Sequence, residues 1–168
     1  MAVFINGRDL TVEEVIRVCR NNEEVQLTEE AVAAVKKARA YIEKKLEEKA
    51  VIYGLTTGFG KFANVVIDND QTEQLQRNLI ISHTCAMGNP YPRHYVRAAM
   101  LLRCNALARG NSGIRLETLQ TLLDMLNKGV HPIIPEKGSL GASGDVAPLS
   151  HIALGLIGEG KVEYKGEV

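Results

Sequence analysis

The loop Gly138–Asp145, with the sequence GSLGASGD, holds the residues with the most unusual chemical potential. In a tightly bent chain the amide nitrogen of Gly144 can attack the carbonyl carbon of Ala142 and close a five-membered ring. Glycine favours this step because it has no Cβ and reaches backbone conformations barred to other residues. Loss of water from the adduct and from Ser143 then leaves 4-methylidene-imidazol-5-one (MIO), a carbon electrophile that no ordinary side chain supplies. An Ala-Ser-Gly tripeptide is also common in flexible turns, so other parts of the chain must separate the two interpretations.

Three other motifs lack the residues or the context that their chemistry needs. The segment Gly155–Lys161 has P-loop spacing, but Val162 stands where a Ser or Thr hydroxyl should meet magnesium, and the segment follows a predicted helix. The pair Gly58 and Gly60 lacks the last glycine and the βαβ unit of a dinucleotide fingerprint. Asp145 replaces the final glycine of the hydrolase nucleophile elbow, and the histidines show no pair at metal-ligand spacing. None of these motifs therefore indicates a nucleotide or metal site.

Three long segments resemble the histidine and aromatic amino-acid ammonia-lyase family. They are YGLTTGFGKFANV from Tyr53, LQRNLIISHTCAMGNP from Leu75, and GSLGASGDVAPLSHIALGLIGEG from Gly138. They occur in the family's order and approximate spacing, and the resemblance covers nearly the whole chain. It implies a mainly α fold, the N-terminal helical domain of the histidase-like (fumarase/aspartase-like) architecture, with short β-strands at the termini.

The resemblance also implies roles for individual residues. Residues 142–144 match the tripeptide that cyclises to MIO, and Tyr53 matches the tyrosine taken to act as the base. Ser82 and His83 match the selectivity position, where tyrosine- and phenylalanine-specific relatives have His-Leu or Phe-Leu. These matches imply L-histidine as substrate, with urocanate and ammonia as products. Without the motifs, His83 would be an ordinary, partly buried helix histidine and Tyr53 a packed aromatic at a strand end.

The chemistry of elimination suits these residue types. The β-proton of an amino acid is weakly acidic and an amine is a poor leaving group, so the reaction needs both a base and an electrophile. An electrophilic methylene at Ser143 makes nitrogen easier to expel. Because a phenol is mostly protonated near neutral pH, Tyr53 needs a positive environment to serve as the base. Glycines at 54, 58 and 60 let this loop approach the substrate closely and close over it.

Helices dominate the predicted elements that must position these loops. Thr11 and Glu14 have capping-box spacing before an amphipathic segment, and Thr28 precedes a second one. Apolar residues at three- and four-residue steps, together with glycine and proline at the ends, predict further helices at residues 72–84, 92–110, 114–129 and 148–158.

Strand signals are confined to the two ends of the chain. Residues 3–5 are apolar and precede an Asn-Gly turn, whereas residues 161–168 alternate in polarity and 130–147 is predicted to be a loop. A strand beginning at Lys161 needs a partner for its backbone groups. We expect either the N-terminal strand or, preferably, polypeptide outside this chain to supply that partner.

Composition excludes several classes of function. Twenty basic residues balance twenty acidic ones, whereas a nucleic-acid binder needs a basic face. With 45% apolar and 24% charged residues the composition is that of a folded globular domain, and no apolar run is long enough to span a bilayer. The N-terminus lacks the zones of a signal peptide, and the three scattered cysteines indicate free thiols in a reducing compartment. These features predict a cytoplasmic protein with no nucleic-acid or membrane partner.

Members of the resembled family are much longer than these 168 residues, and they build each active site from several subunits of an oligomer. Residues 1–168 therefore correspond to a single N-terminal domain without the C-terminal helical bundle. The asparagine near the MIO, the arginine for the substrate carboxylate and the later tyrosine and glutamate have no counterpart here. The chain can be a subunit of a split lyase, a piece of a longer enzyme, or an inactive scaffold. A tyrosine or phenylalanine lyase or aminomutase is the alternative within the same chemistry.

Overall fold

The computed structural model describes residues 2–67, 71–141, 144 and 146–168. Within these residues the chain is mainly helical, as the sequence predicted. Its elements are, in order, β1 (Val3–Ile5), α1 (Val12–Asn21), β2 (Val25–Leu27), α2 (Glu29–Glu47), α3 (Thr72–His83), β3 (Met87–Pro90), α4 (Arg93–Ala108), α5 (Leu116–Lys128), β4 (Val130–Pro132), β5 (Pro135–Lys137), α6 (Val146–Leu156) and β6 (Val162–Tyr164). A short 3₁₀ turn, Gly60–Phe62, lies between α2 and α3. None of these helices is both long and apolar enough to cross a membrane.

The helix ends follow the local signals in the sequence. Thr11 Oγ1 accepts from the Glu14 amide at 3.2 Å and the Glu14 carboxylate accepts from the Thr11 amide at 2.9 Å, which completes the capping box. Thr28 Oγ1 accepts from the Ala31 amide at 3.1 Å at the start of α2. Gly129 ends α5 in the left-handed conformation, with φ +74°. The helix boundaries predicted at these positions are confirmed.

Helix α4 lies at the centre of the core and packs against α1, α2 and α5. Its residues Met100, Leu101 and Cys104 are inaccessible to solvent, and they meet Leu119 and Leu123 of α5, which are equally buried. Helix α3 is different, because it packs against α6 and has no fully buried residue. The motif segment on α3 therefore lies at the edge of this core, whereas Ile152 of α6 belongs to it.

The strands pair differently from the sequence prediction. β6 pairs antiparallel with β4, with Val130 opposite Tyr164, so a strand within the chain supplies the partner that was predicted to be the N-terminal strand or outside polypeptide. The stretch predicted as a loop at 130–147 contains β4 and β5, and β5 pairs antiparallel with β3. β1 pairs in parallel with β2, which periodicity did not reveal. Strands of three or four residues carry too little alternation to be recognised before their partners are known.

A buried arginine joins the ends of two helices. Arg97 of α4 is 2% exposed, and its guanidinium donates to the Val18 carbonyl at 2.8 and 3.1 Å, to the Leu126 carbonyl at 2.9 Å and to His131 Nε2 at 3.0 Å. Among the described residues, no carboxylate forms an ion pair with Arg97. Val18 and Leu126 lie in the last turns of α1 and α5, where helix carbonyls carry partial negative charge. The two helix ends therefore take the place of a counter-ion.

His131 makes the stability of this core dependent on pH. Burial, reinforced by the charge of Arg97, lowers the pKa of His131 to about 4. Because the unfolded chain binds this proton near pH 6.5, the contribution of His131 to stability is complete above pH 6.5 and is lost as the pH falls toward 4. We expect the free energy of unfolding, measured in urea, to fall by about 2 kcal/mol between pH 7.5 and pH 5 on account of this residue.

A matched variant isolates this contribution. Burial also lowers the pKa of His151, so the whole chain loses stability from both histidines in the same direction. His131→Gln keeps an acceptor for Arg97 but does not titrate, and it should flatten the pH dependence by the part that belongs to His131. An equally steep pH dependence in His131→Gln would contradict the assignment.

Candidate functional site

Tyr53 lies on an ordered turn that presents its phenol to solvent. The residue is 64% exposed, and its phenol oxygen accepts from the Gly60 amide at 3.3 Å. Phe59 packs edge-on against the Tyr53 ring, with centroids 5.9 Å apart and an interplanar angle of 76°. The Ile52 amide donates to Thr56 Oγ1 at 2.8 Å. The glycine-rich loop is thus a tight turn that holds an aromatic residue outward.

The C-terminal end of α3 carries Ser82 and His83. His83 Nδ1 lies 2.8 Å from the Leu79 carbonyl and 3.0 Å from Ser82 Oγ, and Ser82 Oγ donates to the same carbonyl at 2.8 Å. Because a carbonyl only accepts, Nδ1 carries the proton in this arrangement. Nε2 is the ring nitrogen of His83 that remains for another partner.

The candidate electrophile lies at the entrance to α6. Ala142 and Ser143 fall outside the described residues, whereas Gly144 is described. The Gly144 amide donates to the Gly141 carbonyl at 3.2 Å, and both glycines are left-handed, with φ +82° and φ +66°. A Cβ added at either glycine would meet nothing within 4 Å, so backbone conformation and not crowding requires glycine here. This hydrogen bond joins two glycines that are three positions apart in the sequence.

Tertiary contacts bring these three segments together. Gln76 Nε2 of α3 donates to the Gly54 carbonyl at 3.2 Å, which ties the Tyr53 turn to α3. β3, just after His83, pairs with β5, just before the Ala-Ser-Gly segment. At Gly138, φ is +155° and a Cβ would lie 2.7 Å from Ala86 Cα, so only glycine allows this close approach. Helix α3 also packs against α6.

Tyr53, Ser82 and Gly144 are exposed to solvent, and His83 is partly buried. Two clefts among the described residues have volumes of about 540 and 230 Å³, and these site residues line neither of them. Three apolar side chains of the neighbouring segments are strongly exposed: Leu140 at 87%, Met87 at 73% and Phe62 at 65%. No three His, Cys, Asp or Glu residues in the described part of the chain are grouped to hold a metal ion.

The sequence patterns did not single out two residues that organise this region, Gln76 and Thr57. Gln76 lies seven positions before His83, so both occupy one face of α3, and this spacing was the signal that could have identified it. Thr57 is 1% exposed and accepts from the Gly54 amide at 3.2 Å, but nothing local distinguishes it from the neighbouring Thr56.

Comparison with known proteins identifies the class that this fold and these segments define. The chain belongs to the aromatic amino acid lyase family, whose model matches residues 10–168. It is 59% identical over 165 residues to the histidine ammonia-lyase of Alkaliphilus oremlandii and 51% identical to that of Bacillus subtilis; each match covers 98% of this chain. The chain spans 32% of the length of each of these relatives.

Solved structures agree with the fold. The crystal structure of histidine ammonia-lyase from Trypanosoma cruzi superposes with a TM-score of 0.91 at 39% identity and covers 99% of this chain and 32% of its own. Tyrosine aminomutase from Streptomyces globisporus superposes with a TM-score of 0.92 at 40% identity, again over 99% of this chain and 31% of its own. The helical arrangement is therefore shared by family members named for different reactions.

Proposed function

We propose that this chain is the N-terminal part of a histidine ammonia-lyase, which eliminates ammonia from L-histidine to give urocanate. The observation that carries the proposal is the convergence of three segments: the Tyr53 turn, the end of α3 at His83, and the segment that leads from β5 into α6. The histidine ammonia-lyases that resemble the chain over 98% of its length supply the reaction class. The rest of the site is then provided by the remaining polypeptide or a second subunit of an oligomer.

Residues 142–144 are proposed to form MIO autocatalytically, with no metal and no diffusible cofactor. The left-handed Gly144 and its hydrogen bond to Gly141 support this, because ring closure needs a sharply bent chain with glycine at its last position. When formed, the group supplies a carbon electrophile beside the amine to be expelled.

Tyr53 is proposed to take the β-proton of the substrate at its phenol oxygen. The Gly60 amide and the Phe59 ring orient the phenol, and its 64% exposure leaves the oxygen open to a substrate. A general base must reach the proton that it removes, and this outward position allows that.

His83 is proposed to select the substrate side chain, with Ser82 assisting. With its Nδ1 proton held by the Leu79 carbonyl, His83 offers Nε2 as an acceptor. The imidazole of L-histidine has an N–H to donate to it, whereas the phenyl ring of phenylalanine has none. This difference favours the histidine reaction over a phenylalanine lyase.

A complementation assay tests the function. The chain is mixed with the remaining two-thirds of the Alkaliphilus oremlandii lyase, and urocanate formation from L-histidine is followed, with L-tyrosine and L-phenylalanine in parallel. Turnover of L-histidine supports the proposal. Turnover of L-tyrosine or L-phenylalanine alone would favour the aromatic lyase or aminomutase; the fold is as similar to tyrosine aminomutase as to histidine ammonia-lyase. Absence of any turnover would favour an inactive scaffold.

Tyr53→Phe should lower kcat in this reconstituted enzyme by about a hundredfold or more while KM changes little, because it removes a base and little packing. The thermal midpoint should not move, since the side chain is largely exposed. Tyr41→Phe is the matched control, because Tyr41 is 60% exposed on α2, outside the candidate site. Wild-type kcat in Tyr53→Phe would remove Tyr53 from this role.

The proposed enzyme acts on a small amino acid in the cytoplasm, without a nucleic-acid or membrane partner. All three cysteines are free, and Cys19 and Cys104 are buried within the core. Reduced thiols of this kind support a reducing compartment.

A further inference from the structure

Both polar backbone groups of Gly54, the residue after Tyr53, are held by side chains. The Gly54 amide donates to Thr57 Oγ1 at 3.2 Å, and the Gly54 carbonyl accepts from Gln76 Nε2 at 3.2 Å. Thr57 belongs to the same turn and is 1% exposed, whereas Gln76 belongs to α3. The two peptide units that flank Gly54 are therefore both held: the one after Tyr53 from within its own turn, and the next one from the helix that ends at His83.

The backbone conformation of Gly54 and its contact with Phe59 require glycine at this position. Its φ is +71°, and a Cβ at this position would lie 2.8 Å from Phe59 Cε1. The Phe59 ring thus covers Gly54 and at the same time packs edge-on against Tyr53. Because the Gly60 amide donates to the Tyr53 phenol oxygen, a shift of the Gly54 peptide would also move this oxygen from its donor.

We propose that Gln76 is a positioning residue for Tyr53: it holds the Gly54 carbonyl against α3 and so sets the Tyr53 phenol relative to His83. Thr57 accepts from the Gly54 amide and so fixes the same residue from within the turn. The inference rests on the proposed function, because it is there that Tyr53 and His83 act on one substrate. Gln76 itself contacts the Gly54 backbone and acts through it. The hydrogen bond from Gln76 to the Gly54 carbonyl determines how the Tyr53 phenol and the His83 ring face each other.

The first test uses the 168-residue chain alone and needs no activity. In Gln76→Met the side chain keeps its length but loses its donor, and amide exchange is followed by NMR. The Gly60 amide, which reports on the Tyr53 phenol, should exchange about five- to tenfold faster, the factor that one lost hydrogen bond produces. Amides of the α4–α5 core and the thermal midpoint should stay unchanged. Unchanged Gly60 exchange, or acceleration spread equally over the core, would overturn the proposal.

Gln74→Met is the matched control. Gln74 lies on the same helix and donates to Asn78 Oδ1 at 2.7 Å within α3, so it loses a hydrogen bond of similar kind without touching the turn. It should leave Gly60 exchange at the wild-type rate. Thr57→Val removes the other support with little change in shape and should accelerate Gly60 exchange in the same way as Gln76→Met. If Gln74→Met accelerated Gly60 exchange equally, any weakening of α3 would loosen the turn, and the specific role of Gln76 would be overturned.

The second test uses the complemented lyase. Gln76→Met should lower kcat about tenfold and leave KM within about twofold, because the base is displaced while the substrate contacts remain. Faster Gly60 exchange together with unchanged kcat would overturn the positioning role. If wild-type chain yields no urocanate in any combination, the proposed function fails, and the exchange experiment by itself decides whether Gln76 holds the Tyr53 turn.

Discussion

Ser143→Ala is expected to abolish turnover and to restore the plain mass of the chain. In the proposed cyclisation two waters leave, so the wild-type chain should be lighter than its sequence by about 36 Da. Alanine has no hydroxyl to lose and cannot give the exocyclic methylene. Intact-mass measurement of the wild-type chain and of Ser143→Ala tests this directly, and the complemented lyase gives the activity of the same two chains.

Ser112→Ala is the control for this experiment. Ser112 lies between α4 and α5, far along the chain from residues 142–144, so its replacement also removes one hydroxyl but should keep both the mass deficit and the activity. If Ser143→Ala keeps full turnover, MIO is not the electrophile. If the wild-type chain already has the plain mass, Ser143 is an ordinary serine in the isolated chain, and ring closure would need compression by segments outside it.

Arg97→Met is expected to lower the free energy of unfolding by about 3–5 kcal/mol, the cost of removing one partner from a buried charged network. The Val18 carbonyl loses both guanidinium donors, and His131 loses the donor to its Nε2. The ends of α1 and α5 also lose the cation that balances their partial negative charge. Urea denaturation of the variant and the wild-type chain measures the difference.

Two further variants keep this test informative. Arg97→Lys retains the charge but cannot reach all three acceptors, so its stability should fall between those of the wild type and Arg97→Met. Arg103 is exposed on the same helix, and Arg103→Met should change stability by no more than about 0.5 kcal/mol. Equal stability of Arg97→Met and Arg103→Met would show that the buried guanidinium does not hold the two helix ends.

Several features of the site region could be predicted from residue types alone. Tyr53 follows the predicted second helix and precedes three glycines, and the structure shows a tight turn there. Ser82 and His83 were placed at the end of a helix, and α3 ends at His83. The contact between these two segments could not be predicted, because it depends on a glutamine side chain that meets a backbone carbonyl 22 positions away along the chain.

Residue types along the chain predicted the helices, several of their ends and the family. A capping box such as Thr11 with Glu14, or a left-handed glycine such as Gly129, acts over a few residues, so its effect is readable without the rest of the chain. Three other contacts became visible only in the folded chain: β6 pairs with β4, Arg97 binds the ends of two helices, and Gln76 binds the Gly54 carbonyl. Each of these depends on which distant segments the packed core brings together, and backbone groups and buried charges accept any partner that the packing supplies.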